Sequence, residues 1–211
     1  MNLSPAQTEL VEKLHSNVKS GLTTDQVSDR RENEGFNVVK PPVDCPSWIC
    51  CLLPCIKHVP SMKAFAQIRP EDAEILRNGK WIRYDASSLV TGDIIRLEEG
   101  DQVPADCIIL SVEPNEILVD MRAVTGEDKP RSSKVVQGTQ HAQAMQLFWG
   151  GTVVQGSGIA IVTATGVHTF VAGLIRDKKF PPTENLLLAK EENTVSAEDE
   201  GISLINRRET V

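Results

Sequence analysis

The chain has 211 residues, a formal net charge of −7, 40% apolar residues and 24% charged residues, which fits one medium globular domain with appendages. The acidic balance argues against a general nucleic-acid-binding protein, because phosphate contacts need a basic surface, so no nucleic-acid partner is predicted. The sequence has no run of about 18 apolar residues and no N-terminal secretory signal, which predicts a cytoplasmic chain.

Residues 1–40 are predicted to form a leader of two short helices. Ser4 precedes Pro5, a pair typical of a helix N-cap and first helical position, and apolar residues then recur at helical spacing: Leu10, Val11, Leu14 and Val18. Gly21 is predicted to end this segment, and a threonine cap starts a second helix that closes at Gly35. These helices either pack on another part of the chain or form a dedicated partner-binding element.

Residues 41–71 are predicted to form an apolar linker that is rich in cysteine and interrupted by proline. Four thiols lie close together: Cys45, Cys50, Cys51 and Cys55. Their spacing is cramped for a zinc site, which usually has pairs about two to four residues apart and then a longer gap. S-acylation fits better, because the apolar neighbours, including Trp48, could lie on a membrane surface and several acyl chains anchor a protein stably. Burial against the rest of the chain is the third possibility.

Residues 72–177 show the pattern of a β-rich unit that ends in a helix. Asn78–Lys80 is a strong hairpin signal between two β-like runs, and the turn-rich segment EEGDQVPAD makes a second connection. The further β-like runs EILVDM and LFWGGTVVQGSGIAIVTAT precede a helical segment, GVHTFVAGLIRD. Residues 178–211 are polar and acidic without periodicity, which predicts a disordered tail.

Three polar residues of the β-rich unit are predicted to have structural roles. Asp93 and Asp106, in the TGD and PAD sequences, are turn aspartates of the type that accepts hydrogen bonds from backbone amides. His168 is predicted to cap or pack near the final helix, since a lone histidine rarely forms a metal site.

The order of the motifs resembles that of a known family. After an RNGKW opening, LVTGDIIRLEEGDQVPAD, VDMRAVTGEDKP and WGGTVVQGSGIAIVTATGVHTF follow one another, as in the actuator domain of P-type ATPases. ATGVHTF is most similar to the plasma-membrane proton-pump branch, and GLTTDQVSDRRENEGFNVV resembles the cytosolic leader of such pumps. The resemblance implies an α+β fold: a β-rich, distorted jelly-roll-like actuator domain with a short helical N-terminal segment and a C-terminal helix.

In that family, a Thr-Gly-Glu loop acts on an aspartyl phosphate that a separate phosphorylation domain carries. The resemblance places this loop at Thr125, Gly126 and Glu127, with Glu127 positioning the water that hydrolyses the acyl phosphate. A carboxylate can orient water and accept its proton, and glycine lets the backbone turn tightly beside a phosphate. The family usually has serine next, whereas this chain has Asp128, whose charge is expected to raise the pKa of one carboxyl of the pair and to oppose a phosphate. Basic residues that can offset this charge follow: Lys129 and Arg131.

The sequence lacks the Asp-Lys-Thr-Gly phosphorylation motif and a nucleotide-binding domain, so the chain is not expected to hydrolyse ATP or pump an ion by itself. The expected function is that of a stand-alone actuator-like module, which docks on the phosphorylation domain of a P-type ATPase and regulates it at a membrane surface. Two alternatives stay open: a small acyl-phosphate phosphatase that uses Glu127, and a non-catalytic membrane-associated scaffold. No cofactor or metal is implied, and the cysteine-rich patch is the predicted membrane contact.

Overall fold

A seven-stranded antiparallel sheet organises residues 3–43, 60–139 and 141–182, which are the residues that the computed structural model describes. The strands are β1 (Asp72–Arg77), β2 (Lys80–Asp85), β3 (Ile94–Leu97), β4 (Asp106–Asp120), β5 (Arg131–Lys134), β6 (Gln146–Leu147) and β7 (Thr152–Ala164). Their order is β2-β1-β3-β7-β4-β5, and the short β6 also pairs with β4. All pairs are antiparallel, and the long partners β4 and β7 form the centre of the sheet.

Short helices accompany this sheet before, within and after the β-rich unit. They are α1 (Pro5–Lys13), α2 (Thr24–Glu34), α3 (Pro60–Gln67), α4 (Arg122–Thr125) and α5 (Phe170–Arg176). Ser4 and Thr23 cap α1 and α2 as predicted, because each side chain accepts a hydrogen bond from a backbone N–H of the first turn. The combination of an antiparallel sheet with few helices confirms the predicted α+β class.

The end of the first helix and the cap of the last helix differ from the predictions. The first helix ends at Lys13 rather than near Gly21, because His15 adopts a left-handed φ of 46° that interrupts the helical backbone. At the other end of the chain, Thr169 caps α5 by accepting a hydrogen bond from a backbone N–H. His168 is exposed, so the capping or packing role predicted for it is wrong.

The hairpin predicted from the Asn-Gly pair joins β1 to β2. Asn78 and Gly79 have φ values of 49° and 72°, the backbone that a type I′ turn needs and that these two residue types adopt at low cost. The register follows from this turn, since Arg77 lies opposite Lys80 at the end of the ladder. The prediction of the hairpin is therefore confirmed.

Apolar side chains cover both faces of the sheet where β1, β3, β4 and β7 meet. One large cluster takes Ile75, Ile95, Ile109 and Ala160 from these strands. A smaller cluster takes their neighbours Leu76, Ile94, Leu110 and Ile161. Successive residues of a strand point to opposite faces, so the two clusters lie on opposite sides of the sheet. Val11 of α1 packs in the smaller cluster, whereas Phe65 of α3 and Val171 of α5 pack in the larger one.

Hydrogen bonds attach the leader to the sheet in addition to these apolar contacts. The buried Gln7 Nε2 donates to the backbone oxygen of Ile109 at 3.0 Å. The buried Asn37 amide bonds three backbone groups at 2.8–2.9 Å: the oxygens of Ala86 and Pro104 and the N–H of Gly166. Of the two possibilities for the leader, the structure shows packing on the same chain.

Several predictions fall outside the described residues. The cysteine cluster belongs to this group: Cys45, Cys50, Cys51 and Cys55. The predicted tail beyond residue 182 belongs to it as well, and the domain limits 1–40, 41–71, 72–177 and 178–211 stay predictions. Within the described ranges, no helix combines the length and apolar character that crossing a membrane requires.

Candidate functional site

The loop with the predicted water-positioning residues leaves the sheet at the end of β4. The single turn α4 follows that strand, and its inner residues Met121 and Val124 are fully buried in the larger apolar cluster. Asp120 Oδ1 accepts a hydrogen bond from the backbone N–H of Arg122 at 2.8 Å. These contacts fix the point and the direction in which the loop leaves the sheet.

Gly126 turns the chain out of α4. Its φ of 75° and ψ of 11° lie in the left-handed region, and its N–H donates to the oxygen of Arg122 at 2.9 Å. Glycine is favoured there because a Cβ atom makes this backbone costly. The Thr125 hydroxyl closes the same turn by donating to the oxygen of Met121 at 3.1 Å. The next residue, Glu127, is thereby presented at the surface with 38% of its side chain exposed.

The guanidinium of Arg131 holds the carboxylate of Glu127. Nη2 donates to Oε1 at 2.6 Å, and Nε donates to Oε2 at 3.0 Å. A planar guanidinium binds a carboxylate strongly through such two-point contacts. This hydrogen bonding with Arg131 holds the pKa of the Glu127 carboxyl below its usual range. Glu127 is therefore an ionised hydrogen-bond acceptor at neutral pH.

Asp128 influences Glu127 less than the sequence led us to expect. Its side chain is exposed, and its backbone oxygen accepts a hydrogen bond from Arg122 Nη2 at 3.3 Å. The rise in pKa expected for one carboxyl of the pair does not fall on Glu127, because the hydrogen bonds from Arg131 outweigh the opposing effect of burial on the Glu127 carboxyl. Arg131 was expected to offset the charge of the pair, and its ion pair is with Glu127.

Arg131 is itself held by β6 and by one aromatic ring, which a second ring supports. Its Nη1 donates to the backbone oxygen of Gln146 at 2.6 Å, and its guanidinium carbon lies 5.0 Å from the centroid of the Phe148 ring. Phe148 stacks on Phe170, the first residue of α5, with 4.3 Å between the ring centroids. The candidate site therefore reaches from the loop to the N-terminal end of α5.

Asp106 connects β4 to the same region. Its Oδ1 accepts a hydrogen bond from the backbone N–H of Trp149 at 2.9 Å, and its Oδ2 accepts one from that of Phe170 at 2.7 Å. Asp93 accepts one from the backbone N–H of Val90 at 2.9 Å. The backbone-binding roles predicted for both aspartates are therefore confirmed. Burial raises the pKa of Asp106 to about 6.

We expect Asp106 to make the chain less stable as the pH rises from about 4 to about 7. The folded chain binds the proton of this carboxyl more tightly than the unfolded chain, since the pKa is about 6 instead of 3.8. The stabilisation is complete below the unfolded value and is lost as the pH passes the folded value, a difference of up to about 3 kcal/mol. Urea unfolding across this pH range should show the loss of stability in the wild type, and Asp106→Asn should not show it. An identical pH slope in the two proteins would contradict the assignment.

Sequence reasoning did not identify the aromatic support of the site. Phe148 and Phe170 come together only in the fold, and no local pattern marks that contact. The spacing of four residues between Glu127 and Arg131 is a known signal for an ion pair, but it is dependable on a helix, and this segment is not helical.

The described residues contain no group of three or more histidine, cysteine, aspartate or glutamate side chains that could hold a metal ion. Cys107 lies in β4 and is fully buried, and burial raises the pKa of its thiol. A thiol in such a setting stays protonated and unreactive, so Cys107 is part of the core.

Comparisons with known proteins agree with the order of the motifs. A family model described as the P-type ATPase actuator domain matches residues 67–179, and one described as the cation transporter/ATPase N-terminus matches residues 6–59. The chain is 38% identical over 119 residues to the endoplasmic reticulum calcium ATPase srcA of Aspergillus fumigatus, which covers 54% of the chain and 12% of that relative. A solved crystal structure of a zinc-transporting PIB-type ATPase in the E2.Pi state matches 54% of the chain and 17% of its own, with 25% identity and a TM-score of 0.44. The chain thus matches a small part of the length of each relative.

Proposed function

Because the chain belongs to the family of P-type ATPase actuator domains, we propose that it presents Glu127 to an acyl phosphate on the phosphorylation domain of a cation-transporting P-type ATPase. The observation that carries the proposal is the carboxylate itself, which is ionised and partly exposed after the left-handed turn at Gly126. The proton-pump branch suggested by ATGVHTF stays a prediction, and the proposal assigns no ion, since the curated relative is named as a calcium ATPase.

The chemistry proposed for Glu127 is the orientation of water. An ionised carboxylate accepts a hydrogen bond from water and directs the water oxygen towards phosphorus. The attack forms a new phosphorus–oxygen bond and breaks the bond between phosphorus and the aspartyl oxygen. Inorganic phosphate leaves with both protons of the water, and the aspartate is left as a carboxylate. A lowered pKa makes Glu127 a weak base, so holding the water in place is its main contribution.

We expect the full chain to accelerate the decay of the phosphoenzyme of a cation-transporting P-type ATPase, and Glu127→Gln to abolish that acceleration. The amide keeps the size of the side chain and loses its charge, and the loss of correct positioning typically costs about 100-fold in rate. The decay is measured in membranes after labelling the pump with radioactive ATP and chasing with unlabelled ATP.

The matched control for this experiment is Glu99→Gln. Glu99 is an exposed glutamate in the turn between β3 and β4, away from the loop in sequence. The control variant should accelerate the decay as the wild type does. If the phosphoenzyme decays equally fast with and without the wild-type chain, the docking role is refuted.

The open position of Glu127 also favours the alternative of a small acyl-phosphate phosphatase. Acetyl phosphate hydrolysis by the purified wild type, compared with Glu127→Gln, tests this alternative, and equal rates in the two proteins exclude it. If neither assay depends on Glu127, the results favour a non-catalytic scaffold in which the cysteine cluster carries the function.

The proposed location is the cytoplasmic surface of a membrane, held by S-acylation of the cysteine cluster. The support for this comes from the sequence, where Cys45, Cys50, Cys51 and Cys55 stand among apolar residues. Hydroxylamine, which cleaves thioesters, should release the native protein from the membrane fraction. A protein that stays in the cytosolic fraction with and without hydroxylamine would refute the anchor.

A further inference from the structure

Arg131 occupies the centre of the candidate site. Both oxygens of the Glu127 carboxylate accept hydrogen bonds from its guanidinium, and Gln146 accepts another. The side chain of Arg131 is 25% exposed, so the guanidinium is largely enclosed by the protein and still reaches the surface. A glutamate that follows a glycine turn has no fixed direction of its own, and Arg131 is the group that gives it one.

We infer that Arg131 is the positioning residue of this loop: it fixes the direction of the Glu127 carboxylate and supplies the positive charge that lets a phosphoryl group approach. The inference rests on the proposed function, because an acyl phosphate is the anion that has to come near. It deepens that function by giving a task to a residue outside the Thr-Gly-Glu sequence.

The charges around the loop show why a cation is needed here. Two acidic residues, Glu127 and Asp128, follow each other in the loop, and an approaching phosphoryl group adds further negative charge. The basic side chains nearest in the loop are Arg122, Lys129 and Arg131. Lys129 is exposed, and Arg122 Nη2 donates to the backbone oxygen of Asp128. Of these three, Arg131 contacts the Glu127 carboxylate, so its charge acts where the water and the phosphate meet.

The support beneath Arg131 requires a guanidinium in particular. The Phe148 ring packs against the planar guanidinium of Arg131, and Phe170 of α5 stacks on Phe148. A lysine at this position keeps one positive charge, but it cannot bind both carboxylate oxygens and the oxygen of Gln146 in one planar geometry. Arg131→Lys is therefore expected to retain part of the function, and Arg131→Gln to lose it.

The test uses the full chain as wild type, Arg131→Gln and Arg131→Lys, with Arg83→Gln as the matched control. Arg83 lies on β2 at the opposite edge of the sheet and also pairs with a carboxylate, that of Asp72 at 3.1 Å. Carboxyl NMR measures the pKa of Glu127, and the phosphoenzyme assay measures the rate. In Arg131→Gln the pKa of Glu127 should rise towards its ordinary value and the rate should fall about 10- to 100-fold. Arg131→Lys should lie between these limits, and Arg83→Gln should match the wild type.

The outcomes separate this inference from the proposed function. Equal rates for wild type and Glu127→Gln overturn the proposed function and the inference with it. A slow Glu127→Gln together with an unchanged rate and titration in Arg131→Gln overturns the inference alone. Amide NMR spectra show whether each variant is folded. If Arg131→Gln unfolds, Arg131→Lys decides, and wild-type values for both its pKa and its rate would overturn the inference.

Discussion

Replacing Arg77 by methionine is expected to lower the free energy of unfolding by about 3–5 kcal/mol at neutral pH, because a buried carboxylate loses its partner. Arg77 Nη2 lies 2.6 Å from Oδ2 of Asp93, and Nε lies 2.9 Å from Oδ1. The Asp93 side chain has no exposed surface. Burial raises the pKa of this carboxyl, and Arg77 opposes that effect. Without Arg77, the carboxyl must either take up a proton or stay charged without compensation.

The loss for Arg77→Met should shrink as the pH falls, because a protonated Asp93 needs no cation. A raised folded pKa gives stability that is present below the ordinary value of 3.8 and is lost as the pH rises. Urea unfolding near pH 7 and near pH 4 measures this change, and adding Asp93→Asn should restore about 1–2 kcal/mol near pH 7. The control Arg83→Met removes an exposed arginine and should cost at most about 1 kcal/mol. Equal losses for Arg77→Met and Arg83→Met would contradict the account.

Local signals predicted those parts of the fold that depend on neighbours in sequence. The caps at Ser4 and Thr23 and the turn at Asn78 and Gly79 follow from residues within a few positions of each other. The end of α1 was missed because nothing in its apolar spacing marks the left-handed backbone of His15. Sequence patterns within one helix or one turn thus predict that the element exists. The residue at which the element ends can depend on the backbone of a single residue.

The length of β4 depends on contacts that the sequence does not show. EILVDM was predicted as a β-like run of its own, yet most of it continues a longer strand, Asp106–Asp120, that already contains the preceding CIIL. That strand is continuous because β7 pairs with it along nearly its whole length, with register shifts such as the one between Glu113 and Leu118. A partner about forty residues away therefore determines the length of this strand, and no local propensity could supply it.

The candidate site also has one property that the sequence predicts and one that it does not. The position of Glu127 after a glycine turn was predictable from the motif, and the backbone of Gly126 has the left-handed conformation that such a turn needs. The charge state of Glu127 was not predictable, because the sequence shows Asp128 beside it but does not show that Arg131 folds back onto the carboxylate. The charge state of a carboxyl depends on the distance to its neighbours in space. The sequence shows that Arg131 is four positions from Glu127, but it does not show whether the two side chains are in contact.

Changing Asn37 to aspartate is expected to lower the free energy of unfolding by about 4 kcal/mol at neutral pH, although the side chain keeps its size. The amide nitrogen donates to the oxygens of Ala86 and Pro104, and the amide oxygen accepts from the N–H of Gly166. A carboxylate still accepts from Gly166, but it faces the two carbonyl oxygens with a negative charge and no proton to donate. Asn37 is 5% exposed, so water does not replace the lost hydrogen bonds.

The pH dependence and the cooperativity of Asn37→Asp show whether the leader belongs to the actuator fold. Burial raises the folded pKa of the introduced carboxyl, so the penalty is smallest below about pH 4, where a protonated carboxyl can donate one bond, and largest at neutral pH. The control Asn33→Asp makes the same charge change on an exposed position of α2 and should cost about 0.5 kcal/mol or less.

If the leader is integral, hydrogen exchange in the variant should accelerate together in α1, α2 and the central strands, since one cooperative unit opens as a whole. Faster exchange confined to α1 and α2 would instead make the leader an appended unit, and the central sheet would then hold Glu127 in place without it.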